Sequence, residues 1–166
     1  MSDIAQAATV NIVLADFANN DAGGKGNIIG AGITLVGFDF QQGVTSKFAI
    51  WISVRIPIEF CPAEFPLEMA IVDADDNLVS LPGPAGESQP LRIAQIVSVE
   101  RPNVQVPAAL RDHVGGQIQF VFDFNNGLPL APNGRYEVRV RLDGDDSRTW
   151  KYSFAVVGQA PGPVVG

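Results

Sequence analysis

Residues 130–136 read LAPNGRY and lead into the segment with the clearest structural signal in this chain. From residue 135 onward, charged and apolar residues alternate strictly. Two sets of side chains result, one apolar and one charged: Tyr136, Val138, Val140 and Leu142 against Arg135, Glu137, Arg139 and Arg141. Because successive side chains of a strand point to opposite faces of a sheet, this pattern predicts one core face and one solvent face.

The position of Tyr136 resembles the tyrosine corner of immunoglobulin-like and fibronectin type III sandwiches. The residue stands at the start of a strand, directly after a corner that contains Pro132 and Gly134. In those families the tyrosine hydroxyl bonds to the main chain a few residues upstream, while the ring lies in the core. The resemblance therefore implies a sandwich of two sheets in which Tyr136 has both roles.

The rest of the chain repeats this alternation and predicts about eight strands. Besides the strand at Tyr136, the extended segments are 9–17, 27–40, 46–56, 67–73, 91–99, 117–123 and 149–157. Turns rich in Gly, Pro, Asp and Asn separate them, and no segment carries a sustained apolar period of 3.6 residues. We therefore predict an all-β fold, an immunoglobulin-like antiparallel β-sandwich of about eight strands.

Two of these segments carry further expectations. Segment 27–40 contains Gly30, Gly32 and Gly37, and glycines inside a strand often mark a bulge, so we expect a bend there. Segment 91–99 alternates imperfectly, which favours a strand that is covered on both faces.

The predicted domain organisation is one sandwich with a short arm at each end. Residues 1–8 form a small polar N-terminal arm, and residues 9–158 form the sandwich. Residues 159–166 read QAPGPVVG, and their two prolines and two glycines predict an extended C-terminal arm.

Composition argues against several classes of protein. The net charge of −7 argues against a dedicated nucleic-acid binder, since contacts with phosphate supply most of that affinity. Cys61 is the single cysteine, which rules out an intramolecular disulfide. The N-terminus lacks a basic region, and Asn11 and Asp16 interrupt its apolar run, so we expect neither a signal peptide nor a membrane-spanning helix. We expect the protein in the cytoplasm or on a virion assembled there.

The residues that most often carry chemistry favour structural interpretations. His113 is the only histidine and no G-x-S-x-G motif is present, so we interpret His113 as a loop histidine. Cys61 has no basic neighbour in sequence, which predicts a buried structural thiol. We assign no catalytic, cofactor-binding or metal-binding residue, and we expect no cofactor.

Two acidic clusters, at residues 73–77 and 143–146, invite a calcium interpretation. Calcium takes six to eight oxygen ligands, and neither cluster has the ligand series of an EF-hand loop. Asp and Asn are also ordinary residues of tight turns, which is the interpretation we favour. A shared calcium site stays open if the two loops meet at one end of the sandwich.

Four residues are candidates for an interface: Trp51, Arg135, Arg139 and Arg141. Trp51 falls on the solvent face of segment 46–56, where it is either covered by an arm or loop or is a contact residue. The three arginines share the charged face of their strand with Glu137. They form either a solvated face with ion pairs between strands or a contact surface for an acidic partner.

Several short motifs resemble a family of small uncharacterised proteins from actinobacteria and their phages. The motifs are LADF at 14–17, GKGNIIGAG at 24–32, LEMAIVDAD at 67–75 and PNGRYEV at 132–138. The resemblance runs from about residue 14 to residue 157. It implies a β-sandwich, brings no catalytic residue with it, and suggests an accessory role on a virion.

We therefore predict a non-catalytic structural or interaction protein. The leading hypothesis is a virion accessory protein, such as a capsid decoration or minor structural protein. It would bind protein partners, including the capsid or further copies of itself, through an exposed sheet face or edge and its terminal arms. We expect no nucleic-acid or membrane partner. The alternative is a ligand-binding or carbohydrate-binding sandwich that uses its end loops with Trp51 or the aspartate turns.

Overall fold

Thirteen strands, one α-helix and two 3-10 helices make up the computed structural model, which describes residues 2–83, 85–103, 105 and 107–158. The helix α1 spans Asp3–Ala7, and the 3-10 helices span Ile58–Phe60 and Ala108–His113. The strands are β1 (Thr9–Ala15), β2 (Phe17–Asn20), β3 (Gly26–Ile29), β4 (Leu35–Asp39), β5 (Val44–Thr45), β6 (Phe48–Pro57), β7 (Ala63–Asp73), β8 (Ser80–Pro82), β9 (Ser88–Pro90), β10 (Arg92–Val99), β11 (Gly115–Phe124), β12 (Arg135–Leu142) and β13 (Trp150–Val157).

Two larger sheets form the layers of a sandwich. One has the order β1-β6-β11, and the other has the order β10-β7-β12-β13-β4-β5. The pairs β2-β3 and β8-β9 form separate hairpins. The predicted all-β sandwich is confirmed, with more strands than the eight expected.

The pairing of β13 with β4 is parallel, which corrects the expectation of a wholly antiparallel sandwich. The predicted bend in segment 27–40 is a complete break into β3 and β4. Gly30 and Gly32 have φ values of 67° and 89°, which an extended strand does not adopt. The chain therefore leaves the β2-β3 hairpin and places β4 beside β13 in the six-stranded sheet.

The core lies between β6 on one side and the centre of the six-stranded sheet on the other. Its fully buried side chains come from alternate positions of β6, β7 and β12: Phe48, Ile50, Ile52, Val54 and Ile56; Phe65, Leu67, Met69 and Ile71; Val138, Val140 and Leu142. The predicted inward faces of β6 and β12 are therefore confirmed. Segment 91–99 differs from its prediction, because β10 is an edge strand whose Ile96 is 64% exposed.

Tyr136 has both of the roles expected from its position. Its hydroxyl donates to the Ala131 carbonyl at 3.2 Å, five residues upstream. Its ring is 8% exposed and packs against Phe154, with ring centroids 5.7 Å apart. Burial raises the pKa of the Tyr136 phenol above its usual value. The corner before β12 is therefore anchored to the core by one side chain.

The two ends of the chain differ in what the structure describes. Within the segment predicted as the N-terminal arm, Ser2 caps α1, because its hydroxyl accepts from the Ala5 N–H at 3.2 Å. Ala5 and Ala8 are buried. The predicted C-terminal arm, residues 159–166, lies outside the described residues. No helix among the described residues has the length and apolarity needed to cross a bilayer.

Candidate interaction surface

The charged face of β12 lies on the outside of the six-stranded sheet. On this face Glu68 of β7 lies between the arginines of the two neighbouring strands. Glu68 accepts from Arg92 Nε of β10 at 2.7 Å and from Arg141 Nε of β12 at 3.1 Å. Arg141 also pairs with Asp146 of the following loop. One carboxylate therefore connects three adjacent strands.

Arg139 is the centre of a second group of ion pairs on the same face. Its Nε donates to Glu137 Oε1 at 2.6 Å, and its other end pairs with Asp76. Lys151 Nζ lies 3.3 Å from the same Glu137 oxygen. Burial acts to raise the pKa of Glu137, but the hydrogen bonds from Arg139 and Lys151 outweigh this effect. The pKa of Glu137 is therefore lowered from its usual value.

The charges on this face balance one another. Its paired cations and carboxylates are equal in number: Arg92, Arg139, Arg141 and Lys151 against Glu68, Asp76, Glu137 and Asp146. Arg135 is exposed and makes no ion pair with the residues that the structure describes. We call Arg135, Arg139 and Arg141 the arginine row. Of its two interpretations, a solvated face with ion pairs describes Arg139 and Arg141. Their role in an interface stays a prediction.

Trp51 lies on the outer side of the three-stranded sheet, underneath the β2-β3 hairpin. A Cβ atom built at Gly26 would lie 2.5 Å from Trp51 Nε1, so the hairpin main chain directly covers the indole. Trp51 Nε1 and Gln119 Oε1 are both buried without a hydrogen-bond partner among the described residues. Of the alternatives for Trp51, covering by a loop is the observed one. The Trp51 side chain as a whole is partly exposed, and its role as a contact residue stays a prediction.

The two acidic clusters lie at opposite ends of β12 and do not meet. Asp73 pairs with Tyr136 at the start of β12, and Asp143 follows Leu142 at its end. Asp73 Oδ1 accepts from the main-chain N–H groups of Asp75 and Asn77, each at 2.9 Å, as in an Asx turn. Within the described ranges no group of three or more His, Cys, Asp or Glu side chains is placed to hold a metal ion.

The other candidates for chemistry are His113 and Cys61. His113 is exposed at the end of a 3-10 helix. Cys61 is buried, as expected, with its thiol 3.6 Å from the Pro57 carbonyl oxygen.

A shallow depression of about 480 Å³ lies beside the arginine row. Its charged lining residues are Asp73, Asp76, Arg135, Glu137 and Arg139. The pKa of Asp73 is lowered, mainly by the main-chain N–H of Asn77. Asp73 and Glu137 are therefore ionised at neutral pH, whereas a carboxyl group that acts as a general acid there needs a raised pKa.

Asp145 attaches the N-terminal helix to the β12-β13 loop. Its carboxylate is buried and accepts from the Ser147 hydroxyl at 2.6 Å, the Ser147 N–H at 2.8 Å and the Ser2 N–H at 2.7 Å. Asp143 accepts from the Ser2 hydroxyl at 2.6 Å. These hydrogen bonds, with the Ser147 hydroxyl as the largest cause, lower the pKa of Asp145 strongly. The ionised form of Asp145 thus stabilises the attachment.

The Asp145→Asn variant tests this attachment through pH. A carboxyl group with a lowered pKa in the folded state stabilises the protein above its unfolded pKa of about 4, and this contribution is lost progressively as pH falls below that value. We therefore expect the variant to be less stable than the wild type at pH 7, with a difference that shrinks at pH 3. Urea unfolding at both pH values measures this. A difference that is unchanged at pH 3 would contradict the role of the ionised carboxylate.

The outer edge of β10 carries main-chain groups that point away from the sheet. The Asp143 N–H donates to the Pro66 carbonyl at 2.7 Å, so the main-chain groups of Pro66 face β12 and those of its neighbours in β7 face β10. Leu67 is opposite Gln95 in the β7-β10 pairing, so Gln95 bonds to β7. By alternation, the main-chain groups that face outward belong to Arg92, Ala94, Ile96 and Ser98.

The side chains of the same four residues lie on the outer face of the sheet. Arg92 reaches Glu68 there, and Ile96 is among the most exposed large apolar residues of the described chain. The opposite face of β10 is buried through Val97 and Val99. The edge of β10 therefore combines main-chain groups that are unpaired within the described residues with an exposed apolar side chain. The sequence analysis missed it because alternation does not show which strand is at an edge.

Residues 11–157 match the family of unknown function DUF6941. Among the solved structures to which the chain is similar are two enzymes. A β-glucosidase from Listeria innocua in complex with gluconolactone is 8% identical, with a TM-score of 0.43, over 91% of this chain and 16% of that one. A glycosyl hydrolase family 2 member from Bacteroides cellulosilyticus DSM 14838 is 12% identical, with a TM-score of 0.37, over 90% and 26%. The chain thus spans only a minor part of either enzyme, and no curated protein matches it.

Proposed function

Because the chain belongs to DUF6941, a family of unknown function, we propose its function from its own surface. It is a non-catalytic interaction protein, and it binds a protein partner that adds a strand at the edge of β10. The observation that carries this proposal is Ile96, which is 64% exposed in an edge strand of eight residues.

Edge strands of stable proteins are usually protected against such pairing. Common protections are lysine, proline, a bulge or a very short strand. Within residues 92–99 there is no lysine, proline or glycine, and the pairing with β7 is continuous over all eight residues. The only charged side chain, Arg92, stands at the first position. An edge of this kind is suited to an extended segment of another chain.

The main chain and the side chains of β10 would contribute differently to binding. Main-chain hydrogen bonds along an edge give affinity with little dependence on sequence, while side chains at alternate positions give specificity. On β10 the alternate positions present Ala94, Ile96 and Ser98, a small and mostly apolar set. We therefore expect the partner segment to be extended and to place an apolar residue opposite Ile96.

For the biological setting, we propose a virion accessory role, supported by the resemblance of the motifs at 14–17, 24–32, 67–75 and 132–138 to a family from actinobacteria and their phages. Strand pairing at a single edge is weak, but many copies on one particle gain affinity through multivalency. Sedimentation of purified phage particles, followed by detection of this chain in the particle fraction, tests the setting separately from the surface.

A photo-crosslinking amino acid at position 96 tests the surface. p-Benzoylphenylalanine replaces Ile96 in the cells that make the protein, and irradiation is followed by mass spectrometry of the adducts. We expect one discrete protein adduct, formed with another polypeptide or with a second copy. The same probe at the exposed Lys47 of the β5-β6 connection is the control and should give no such adduct.

Ala94→Pro is the matched blocking variant for this experiment. Proline lacks an N–H, and the N–H of Ala94 points away from β7, so this substitution leaves the β7-β10 pairing intact. We expect the folded Ala94→Pro protein, verified by an unchanged circular dichroism spectrum, to lose the adduct at position 96. An adduct that survives this change, or that forms equally at Lys47, would refute docking at this edge.

A further inference from the structure

We infer that the strand which pairs with β10 belongs to a second copy of this chain, so that two six-stranded sheets join about a two-fold axis at Ile96. This inference rests on the proposed function, since it names the partner at the same edge. It requires that the edge be complementary to itself in one register. The residues of β10 and the one that follows it meet this requirement.

Antiparallel pairing about Ile96 brings complementary side chains together. Ile96 then lies opposite Ile96 of the second copy, and Ala94 lies opposite Ser98. Arg92 lies opposite Glu100, so opposite charges meet at both ends of the paired segment. Glu100 is exposed and makes no ion pair with any residue in the described ranges.

The main-chain geometry allows this register. The outward main-chain groups belong to Arg92, Ala94, Ile96 and Ser98, and the last three of these are paired with one another in this arrangement. Each pair is therefore of the hydrogen-bonded type, which gives about six main-chain hydrogen bonds between the two strands. A register shifted by one residue sets Gln95 or Val97, whose groups already bond to β7, opposite an outward-facing residue.

Other registers lose the side-chain complementarity. A two-fold axis at Ala94 or at Ser98 keeps the hydrogen bonds but removes the pairing of Ile96 with itself and of Arg92 with Glu100. The axis at Ile96 is thus favoured by the main chain, by apolar contact and by charge together.

The dimer should be weak. Each copy carries a net charge of −7 and strand pairing buries little area, so we expect a reversible dimer with a dissociation constant on the order of 10–100 μM.

Single cysteine variants measure the register. Ile96→Cys should form a disulfide-linked dimer under mild oxidation, since hydrogen-bonded pairs have Cα atoms about 5.5 Å apart, within the range of a disulfide. Ala94→Cys alone and Ser98→Cys alone should form no disulfide-linked dimer, because four residues of offset separate like positions by about 13 Å. A mixture of these two variants should give the crosslinked heterodimer. Wild-type protein, whose Cys61 is buried, is the background control.

Analytical ultracentrifugation gives a measurement that does not depend on thiol chemistry. The wild type should sediment as a concentration-dependent dimer, and Ile96→Lys should raise the dissociation constant about tenfold or more by placing two ammonium groups on the axis. Efficient self-linkage of Ala94→Cys, or a wild-type dimer that Ile96→Lys leaves unchanged, would overturn the inference.

The outcomes separate this inference from the proposed function. A purified chain that stays monomeric up to 1 mM refutes self-pairing, even where the photo-crosslinker at position 96 captures a different polypeptide and so supports docking at the edge. A monomeric chain with no adduct at position 96 refutes both. The disulfide pattern described above, with a photo-adduct of twice the mass of the chain, supports both.

Discussion

Phe48→Ala should lower the free energy of unfolding by about 3–5 kcal/mol, the loss typical of a large buried aromatic side chain. Phe48 is 1% exposed and contacts aromatic rings from both layers of the sandwich. Its ring centroid lies 5.1 Å from that of Phe124 in β11 and 5.9 Å from that of Phe154 in β13. Alanine would therefore leave a cavity where the two sheets meet.

Urea unfolding followed by circular dichroism measures this loss. Phe17→Ala is the matched control, since Phe17 is 44% exposed on the β2-β3 hairpin and its removal should cost less than about 1 kcal/mol. Domains of this size have a total stability of about 5–15 kcal/mol, so Phe48→Ala removes a large fraction of it. Equal losses for the two variants would show that Phe48 does not connect the sheets.

Gly127→Ala should cost about 3 kcal/mol or more, because two effects coincide at this residue. Gly127 has a φ of 68°, and a Cβ atom there would lie 2.0 Å from the Thr45 carbonyl oxygen. That oxygen belongs to the main chain of a buried residue that exchanges hydrogen bonds with Leu128: the Thr45 N–H donates to the Leu128 carbonyl, and the Leu128 N–H donates to the Thr45 hydroxyl. The main chain therefore cannot shift without loss of these bonds.

Gly43→Ala separates the two effects. Gly43 has nearly the same φ, 70°, but no atom lies within 4 Å of the position that its Cβ would take. Its substitution should therefore cost only the strain of the left-handed conformation, about 1–2 kcal/mol. Thermal and urea unfolding of both variants give the difference. A Gly127→Ala variant as stable as Gly43→Ala would contradict the close approach to Thr45.

Several features of the fold could be predicted from short stretches of sequence. The inward faces of β6 and β12 follow from alternation, and the corner at Tyr136 follows from Pro132 and Gly134 immediately before it. The burial of Cys61 was predicted from the absence of a basic neighbour in sequence. Each of these depends on a residue and its near neighbours along the chain.

The candidate surface depends on contacts between residues far apart in sequence. Arg139 and Arg141 were predicted to share a face, but their partners Asp76 and Glu68 come from β7 and the loop after it, more than sixty residues earlier. The covering of Trp51 likewise depends on where the β2-β3 hairpin packs. Pairing of this kind balances the charges of Arg139 and Arg141. The surface that we propose for binding is therefore the edge of β10.

The sequence alone determined which side chains of β6 and β12 face the core, because the two-residue period is a property of the strand's own pleat. The tertiary structure decided which strands are neighbours. It placed β10 beside β7 at one end of the six-stranded sheet and left the other side of β10 unpaired within the described chain. Strand order is set by packing and hydrogen bonds between distant segments, which the local pattern of residues does not encode.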